Sequence, residues 1–438
     1  MFRAIILRLG PKKGDQRRGM AKSFLFDESE ARGSRTSNYW DKGCIITPPK
    51  AISQGMGFFN EQNNALTENK NEARVSDSEM EITLPFSTDL NLRAAYQSPS
   101  KKEIRIGKLL EDLDMLCGTV GMAHANLGKT RAKMVTASVD RIDIIGPICA
   151  AQDLRMLARP TWVGTSSLEI ESKIESPINT PVLKAHFVMV GLPMESGDSS
   201  SERQKVSLPQ LALENPKEIA RFQAGIRRHE KRLKDKATSL NSKPPTAEES
   251  LLLNDLYHRN KHNRFGAELF IPPSLSPARF LSGSNKRAMS STRVETCLLA
   301  HQQMRNHGGS FFGGQIILQG FELAFTAATL FLGAKPRFIH LHDLHFHRPV
   351  NIGSFLFINA SVNYTDTERN LIHVRAFAYT VDPSNMEDIQ FTNTFQFTFQ
   401  NFSSRPTPEV IPNSYEEMLS YLEGVRVNHL SHPVTYSP

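Results

Sequence analysis

The chain is poor in cysteine and tryptophan, with four of the first and two of the second in 438 residues. Cys44, Cys117, Cys149 and Cys297 are scattered without a CxxC pair, which speaks against a disulfide framework or a cysteine zinc site and fits a reducing compartment. Cys117 and Cys297 both fall in text that reads as apolar helix. No apolar run of membrane-spanning length is free of charge, so no span is expected. A GxSxG elbow is missing, as is any cysteine–histidine arrangement, which leaves nucleophile-triad chemistry without support. Hydrophobic residues make up only 39% of the chain, implying long irregular stretches. Acidic residues are outnumbered, and the formal net charge of +7 favours anionic partners: nucleic acid, a membrane surface or a phosphate-bearing ligand.

What the chain does have is a change of texture along its length. Residues 1–78 are polar and aperiodic and read as a mostly disordered segment. Its first 22 residues hold seven Lys or Arg against Asp15, with Phe2, Ile5, Ile6 and Leu9 available for one helical face, the pattern of a mitochondrial presequence. A first unit is expected over 79–195. Leu109, Leu110, Leu113, Leu116, Cys117 and Val120 fall at helical spacing, and strand text follows at 134–145, 154–162, 167–175 and 182–192. A charged helical linker spans 196–289. Its helix from Pro216 carries Arg227, Arg228, Lys231, Arg232, Lys234 and Lys236, but Glu218, Glu230 and Asp235 are interspersed, so a solvated face is expected rather than nucleic-acid binding.

A second unit over 290–405 repeats the first, and 406–438 is left as a C-terminal tail. An apolar helix at 314–332 precedes strands at 337–347, 355–364, 372–381 and 389–399. Gly107 matches Gly314, Asp140 matches Asp343, and Pro147 matches Pro349. A long apolar helix stays buried against one antiparallel sheet only if the sheet curls around it. Two such units in one chain make an internal pseudo-dimer with adjacent helices. The fold class is therefore α+β.

The segment 301–353 carries the chemistry. Gly308, Gly309, Gly313 and Gly314 precede the apolar run 315–332, which holds one acid, Glu322. Glycines before a helix let its free N–H groups approach a ligand, with the helix dipole adding partial positive charge. An acid inside an apolar helix is costly unless used or paired. Four histidines, His340, His342, His345 and His347, split between two faces of one strand with no completing acid, so no metal is expected.

These features, with IGKLLEDLD at 106–114, WVG at 162–164, FGG at 312–314 and FELA at 321–324, resemble the double hot dog acyl-coenzyme A thioesterases, and within them the acyl-CoA thioesterase 9-like group. The resemblance implies two fused hot dog domains and a site between the halves, where a carboxylate on one helix faces the glycine-rich loop of the other. Carried over by position, the catalytic set is Asp114 and Asn306, with Glu322 serving a reciprocal site and Gly309, Gly313 and Gly314 binding substrate. Two departures stand out: the second-half position matching Asp114 is Phe321, the acid being displaced to Glu322, and the first-half loop SPSKKEIRIG lacks both the asparagine and paired glycines. One competent site is expected.

The resemblance implies hydrolysis of fatty acyl-CoA to free acid and coenzyme A, with Asp114 either activating water or attacking directly, no cofactor, a mitochondrial setting and further self-association into a homo-oligomer. A hot dog dehydratase is disfavoured because His124 and His307 lack a clear acidic partner. The alternative from another class is a catalytically decayed acyl-CoA-binding or scaffold protein.

Overall fold

The computed structural model describes residues 45–47, 71–98, 103–128, 132–193, 206–240, 242–264, 285–306 and 309–430. The presequence reading, and the residues His307 and Gly308, lie outside them. The first half contains β1 (Ile45–Thr47), β2 (Met80–Leu84), α1 (Ile106–Ala125), β3 (Ala132–Ile144), β4 (Leu154–Val163), β5 (Ser167–Glu175) and β6 (Pro181–Pro193). The helices α2 (Pro216–Thr238) and α3 (Ala247–Arg264) follow. The second half contains β7 (Val294–Leu299), α4 (Gly313–Leu332), β8 (Arg337–Phe346), β9 (Phe355–Asp366), β10 (Leu371–Asp382) and β11 (Asn385–Gln400), and α5 (Tyr415–Leu430) closes it.

Eleven strands form one antiparallel sheet in the order β1-β2-β4-β5-β6-β3-β8-β11-β10-β9-β7. Read outward from the β3–β8 seam, the two halves repeat one order: β3-β6-β5-β4-β2 and β8-β11-β10-β9-β7. The seam pairs Ile142 with Leu341 and Val139 with Leu344, so Asp140 and Asp343, matched in the sequence, flank the pseudo-two-fold axis. The fold is two fused hot dog units forming an internal pseudo-dimer.

Each central helix touches at least four strands of its own half, so the sheet curls around both. On α1, Leu109, Leu110, Leu113 and Leu116 are fully buried, each worth roughly 1.5–3 kcal/mol of apolar transfer. On α4, Ile317, Ala324, Ala327, Ala328 and Phe331 are likewise fully buried. Gly333, at φ +67°, ends α4 in the left-handed region that a side chain would strain, and its N–H closes on the Thr329 carbonyl at 2.8 Å. Among the described helices α4 alone is long and apolar enough to cross a membrane; here it packs against α1 and its own half-sheet.

Two sequence expectations need correcting. Cys297 lies in strand β7, exposed, and not in a helix, because the alternation Val294–Thr296–Leu298 against Glu295–Cys297–Leu299 has period two and pairs with β9. The basic helix α2 is solvated on one side only. Its other side docks on the outer face of the sheet, where Glu169, with no exposed surface, accepts from Arg228 Nη2 at 2.6 Å, Arg232 Nη1 at 2.9 Å and Thr161 Oγ1 at 2.9 Å. His229 stacks on Trp162 with centroids 4.5 Å apart. Part of the positive charge is therefore spent inside the chain. The C-terminal segment contributes a helix the sequence reading did not find: α5 packs on β9, with Tyr421 edge-on to Tyr364 and the Ser420 carbonyl accepting from Asn363 Nδ2 at 3.0 Å.

Candidate active site

The two central helices run side by side, and small residues set how close they come. A Cβ on Gly107 would stand 2.8 Å from Leu318 Cδ1 and 3.1 Å from Phe321 Cδ1. A Cβ on Gly313 would stand 3.2 Å from Asp114 Oδ2 and 3.3 Å from the Phe346 ring, and one on Gly314 would stand 2.8 Å from the Glu111 carbonyl oxygen. The carboxylate of α1 thus sits against the N-terminus of α4, across the interface between halves.

Asp114 is 3% exposed. Its Oδ1 accepts from Thr136 Oγ1 on β3 at 2.7 Å, and its carboxylate also accepts the Gly314 backbone N–H. Burial pushes its pKa up to about 6, against the pull of the Thr136 and Gly314 hydrogen bonds, and the nearby Glu111 charge adds to the rise. Such a carboxyl is ionised at neutral pH yet basic enough to accept a proton. Phe346 from β8 and Phe312 before α4 wall this spot with phenyl rings.

The structure brings Asp114, Gly313 and Gly314 together. Asn306 and Gly309 lie in the loop that feeds α4, where Asn306 Oδ1 accepts the Ser310 N–H at 3.1 Å and its carbonyl accepts the Gly309 N–H at 3.1 Å. Gly309 takes φ +83° with open space around it, so the turn's backbone explains the glycine. The loop is fixed to the helix start by the Phe312 N–H on the Met304 carbonyl at 2.8 Å. Glu322 stands apart from Asp114, in an ion pair with Arg105 at the start of α1, and both side chains are about two-fifths exposed.

Thr136 and Phe346 are additions of the structure, and Phe312, known from the FGG motif, gains a place at the site. Thr136 carried a usable signal: a hydroxyl at an inward position of an otherwise alternating strand wants a polar partner.

The duplication allows the matching positions of the second half to be compared. Counting from each helix start, Asp114 corresponds to Phe321. Thr136 opposes Met189 just before a bulge in β3, and Phe338 opposes Phe399 just before the corresponding bulge in β8. Phe338 meets Phe321 edge-on at 5.0 Å. One half holds a hydroxyl on a carboxylate; the other holds a phenyl pair in the same place.

Acyl-coenzyme A thioesterase 9, mitochondrial, of Bos taurus is 30% identical over 369 residues, 82% of this chain and 80% of its own. The chain belongs to the acyl-coenzyme A thioesterase 9-like family. The Homo sapiens member is also 30% identical, over 370 residues, with 83% and 80% covered, and acyl-coenzyme A thioesterase 2, chloroplastic, of Humulus lupulus is 28% identical over 423 residues, with 92% and 89% covered. No protein-family model matches the chain. Among solved structures, an acyl-CoA hydrolase from Staphylococcus aureus is 21% identical over 33% of this chain and 93% of its own, at a TM-score of 0.30. A putative oleoyl thioesterase from Lactobacillus plantarum is 8% identical over 74% and 96%, at 0.42. Both scores are too low to inform function. In this chain the phenyl pair leaves the Glu322 side without an acid at the matching position. Glu322→Gln is expected to change kcat by less than about twofold, and stability by under ~1 kcal/mol for so exposed a pair. Turnover and melting curves check this; a tenfold loss of kcat would return Glu322 to the catalytic set.

Proposed function

We propose that this chain is an acyl-CoA thioesterase with a single competent site, in which Asp114 acts as general base on water. The observation that carries the reading is the buried Asp114 carboxyl, raised to about 6, against the N-terminal amides of α4. Water attacks the thioester carbonyl carbon as its proton passes to Asp114. Negative charge builds on the carbonyl oxygen, for which the Gly313 N–H is the donor, the Gly314 N–H being engaged by Asp114 itself. Removing one such donor costs roughly 2.7–4 kcal/mol. The C–S bond then breaks, and a thiolate of pKa ~8.5 leaves with little acid assistance. Asn306 positions the loop that presents these amides, and Thr136 orients the carboxylate.

The units we assign are the segment 1–78, hot dog units at 79–195 and 290–405, the linker 196–289, and the segment 406–438 bearing α5. We further place the protein in mitochondria, on its basic amphipathic start, and as a homo-oligomer. Import of a fluorescent fusion and light scattering test these two assignments.

The decisive experiment offers purified protein a series of fatty acyl-CoAs and follows free thiol. Release that saturates with substrate is expected. Tight binding with the ester intact would instead mark a binding protein whose chemistry has been lost. A single turnover in ¹⁸O-water bears on the two carboxylate roles: general-base attack labels the acid and never the Asp114 carboxyl, whereas label in the Asp114 carboxyl with an unlabelled first acid marks attack by Asp114 itself, the anhydride then being opened at the Asp114 carbon.

A further inference from the structure

The duplication runs past the two hot dog units into the segments that flank them. In the first half a short strand, Gln210–Ala212, pairs in parallel with Glu72–Arg74; in the second, Glu409–Ile411 pairs in parallel with Lys286–Ala288. The chain then enters a capped helix in each case. The Glu218 N–H donates to Asn215 Oδ1 at 3.0 Å at the start of α2, and the Glu417 N–H to Ser414 Oγ at 3.1 Å at the start of α5. Counted from those caps, Gly225 corresponds to Gly424. A Cβ on either would strike a ring-bearing residue just past a bulge, Trp162 on β4 or Tyr364 on β9. The two helices are one repeated element, laid on the outer face of each half-sheet.

Their outward sides differ. On α5, Met418 and Leu422 pack with Leu253 of α3, and Arg426 donates to Glu249 of α3 at 2.7 and 2.9 Å. The matching residues of α2 are Ile219, Gln223 and Arg227, all exposed. Ile219, Ile226 and Leu233 are 43%, 37% and 59% exposed, and their seven-residue spacing lines them up along one side of the helix. Arg227 and Lys234 flank this stripe with one acid, Glu230. α2 thus gives Arg228 and Arg232 to the sheet and turns aliphatic residues outward, the reverse of an ordinary surface helix.

The order of elements names the cover. α3 lies immediately ahead of the second repeat and packs on the last helix of that repeat. Ahead of the first repeat stands the N-terminal segment, which lies outside the described residues apart from β1. The first repeat is entered beside α2, for the Asn71 carbonyl accepts the Gln210 N–H at 2.9 Å just before the α2 cap. In the N-terminal segment Phe24, Leu25 and Phe26 adjoin Asp27, Glu28 and Glu30, as leucines adjoin Glu248 and Glu249 in α3. Apolar residues beside carboxylates match an aliphatic stripe flanked by Arg227 and Lys234. A second copy of α2 would set basic flank against basic flank, and the basic residues 1–22 would be repelled. Reach is no obstacle: the chain between Glu30 and Asn71 extends to roughly 130 Å, against about 35 Å for α2. We propose that residues 24–30 dock on the outward stripe of α2 within one chain, the apolar side chains on Ile219, Ile226 and Leu233 and the acids toward Arg227 and Lys234.

The test uses the full chain with Cys44→Ser, Cys149→Ser and Cys297→Ser, isotope-labelled isoleucine methyl groups, and a nitroxide attached at Ser29→Cys. The Ile219 and Ile226 NMR signals are identified by their loss in Ile219→Val and Ile226→Val. Both are expected to lose most of their intensity and to regain it when ascorbate reduces the nitroxide. In an equimolar mixture of labelled chain without nitroxide and unlabelled chain with it, both signals should stay sharp. Broadening in that mixture would give the stripe to a second copy and overturn docking within one chain. Asp27→Lys, Glu28→Lys and Glu30→Lys together should restore both signals in the nitroxide chain, and adding Arg227→Glu and Lys234→Glu should quench them again. Full intensity in the folded parent chain would overturn the proposal. None of these readings needs turnover, so the outcome stands apart from the hydrolase reading.

Discussion

Asp114→Asn is expected to lower kcat by about 10³-fold, within the range general-base groups supply, and at the same time to make the protein more stable at pH 8. The amide cannot take a proton from water, so thiol release should fall to the residual rate given by binding and the α4 amides. The stability change follows from where the carboxyl titrates. Folding raises its pKa from 3.8 to about 6. A carboxyl raised on folding opposes folding once it is ionised: the cost is absent below the unfolded value, grows between the two, and is complete above the folded one. Moving an aspartate from 3.8 to about 6 corresponds to ~3 kcal/mol. Asparagine removes that cost but turns an N–H₂ toward the Gly314 N–H or the Thr136 hydroxyl, giving back about 1 kcal/mol or more. A net gain of roughly 1–2 kcal/mol at pH 8, shrinking to nothing near pH 4, is therefore expected in denaturant titrations. Full activity in the variant would remove Asp114 from the mechanism. Equal stability at both pH values would mean that its carboxyl is not buried in the charged form.

How much of this was legible in the sequence depends on how each feature is encoded. The paired helices and eight of the eleven strands of the main sheet were visible because Leu109, Leu110, Leu113 and Leu116 repeat at helical spacing and Phe395, Phe397 and Phe399 alternate. Periodicity is local, and one row of residues suffices to read it. The duplication was visible through Asp140 and Asp343, since it leaves matching marks, but that they flank a strand seam between the halves was not. Three other things were not legible. Short β1, β2 and β7 were hidden because three to six residues show too few alternations to tell strand from helix. The docking of α2 was hidden because its arginines are spoken for by Glu169, a partner roughly sixty residues away that no spacing rule reaches. At the site, Asp114 and the glycines could be named by position, but Thr136 and Phe346 arrive from two strands of different halves. The sequence also left open what Glu322 does. Its pairing with Arg105 depends on how the helices lie side by side, which is a tertiary fact.

That side-by-side packing makes Gly314→Ala the most damaging small change at the site. The new Cβ would come to 2.7 Å from two atoms of the Phe312 ring and 2.8 Å from the Glu111 carbonyl oxygen. The ring belongs to a flexible side chain and can turn aside. The carbonyl belongs to the backbone of α1 and cannot, so α4 must back away from α1 by several tenths of an ångström. Overpacking of this kind costs roughly 1–3 kcal/mol, of which alanine's better helix propensity returns at most about 1 kcal/mol. The Gly314 N–H would leave Asp114 with it; since a misplacement of about 1 Å can cost about 10²-fold in rate, this smaller shift is expected to cost roughly 10-fold. Gly313→Ala is the contrasting case. Its Cβ would lie 3.2 Å from Asp114 Oδ2 and 3.3 Å from Phe346, both side chains able to give way. A melting temperature close to wild type is expected there, with kcat reduced because the carboxylate is pushed off its place. Unfolding curves and thiol-release kinetics on the two variants separate the effects. If Gly314→Ala were as stable and as active as the parent, the close contact between α1 and α4 on which this active-site geometry depends would not exist in solution.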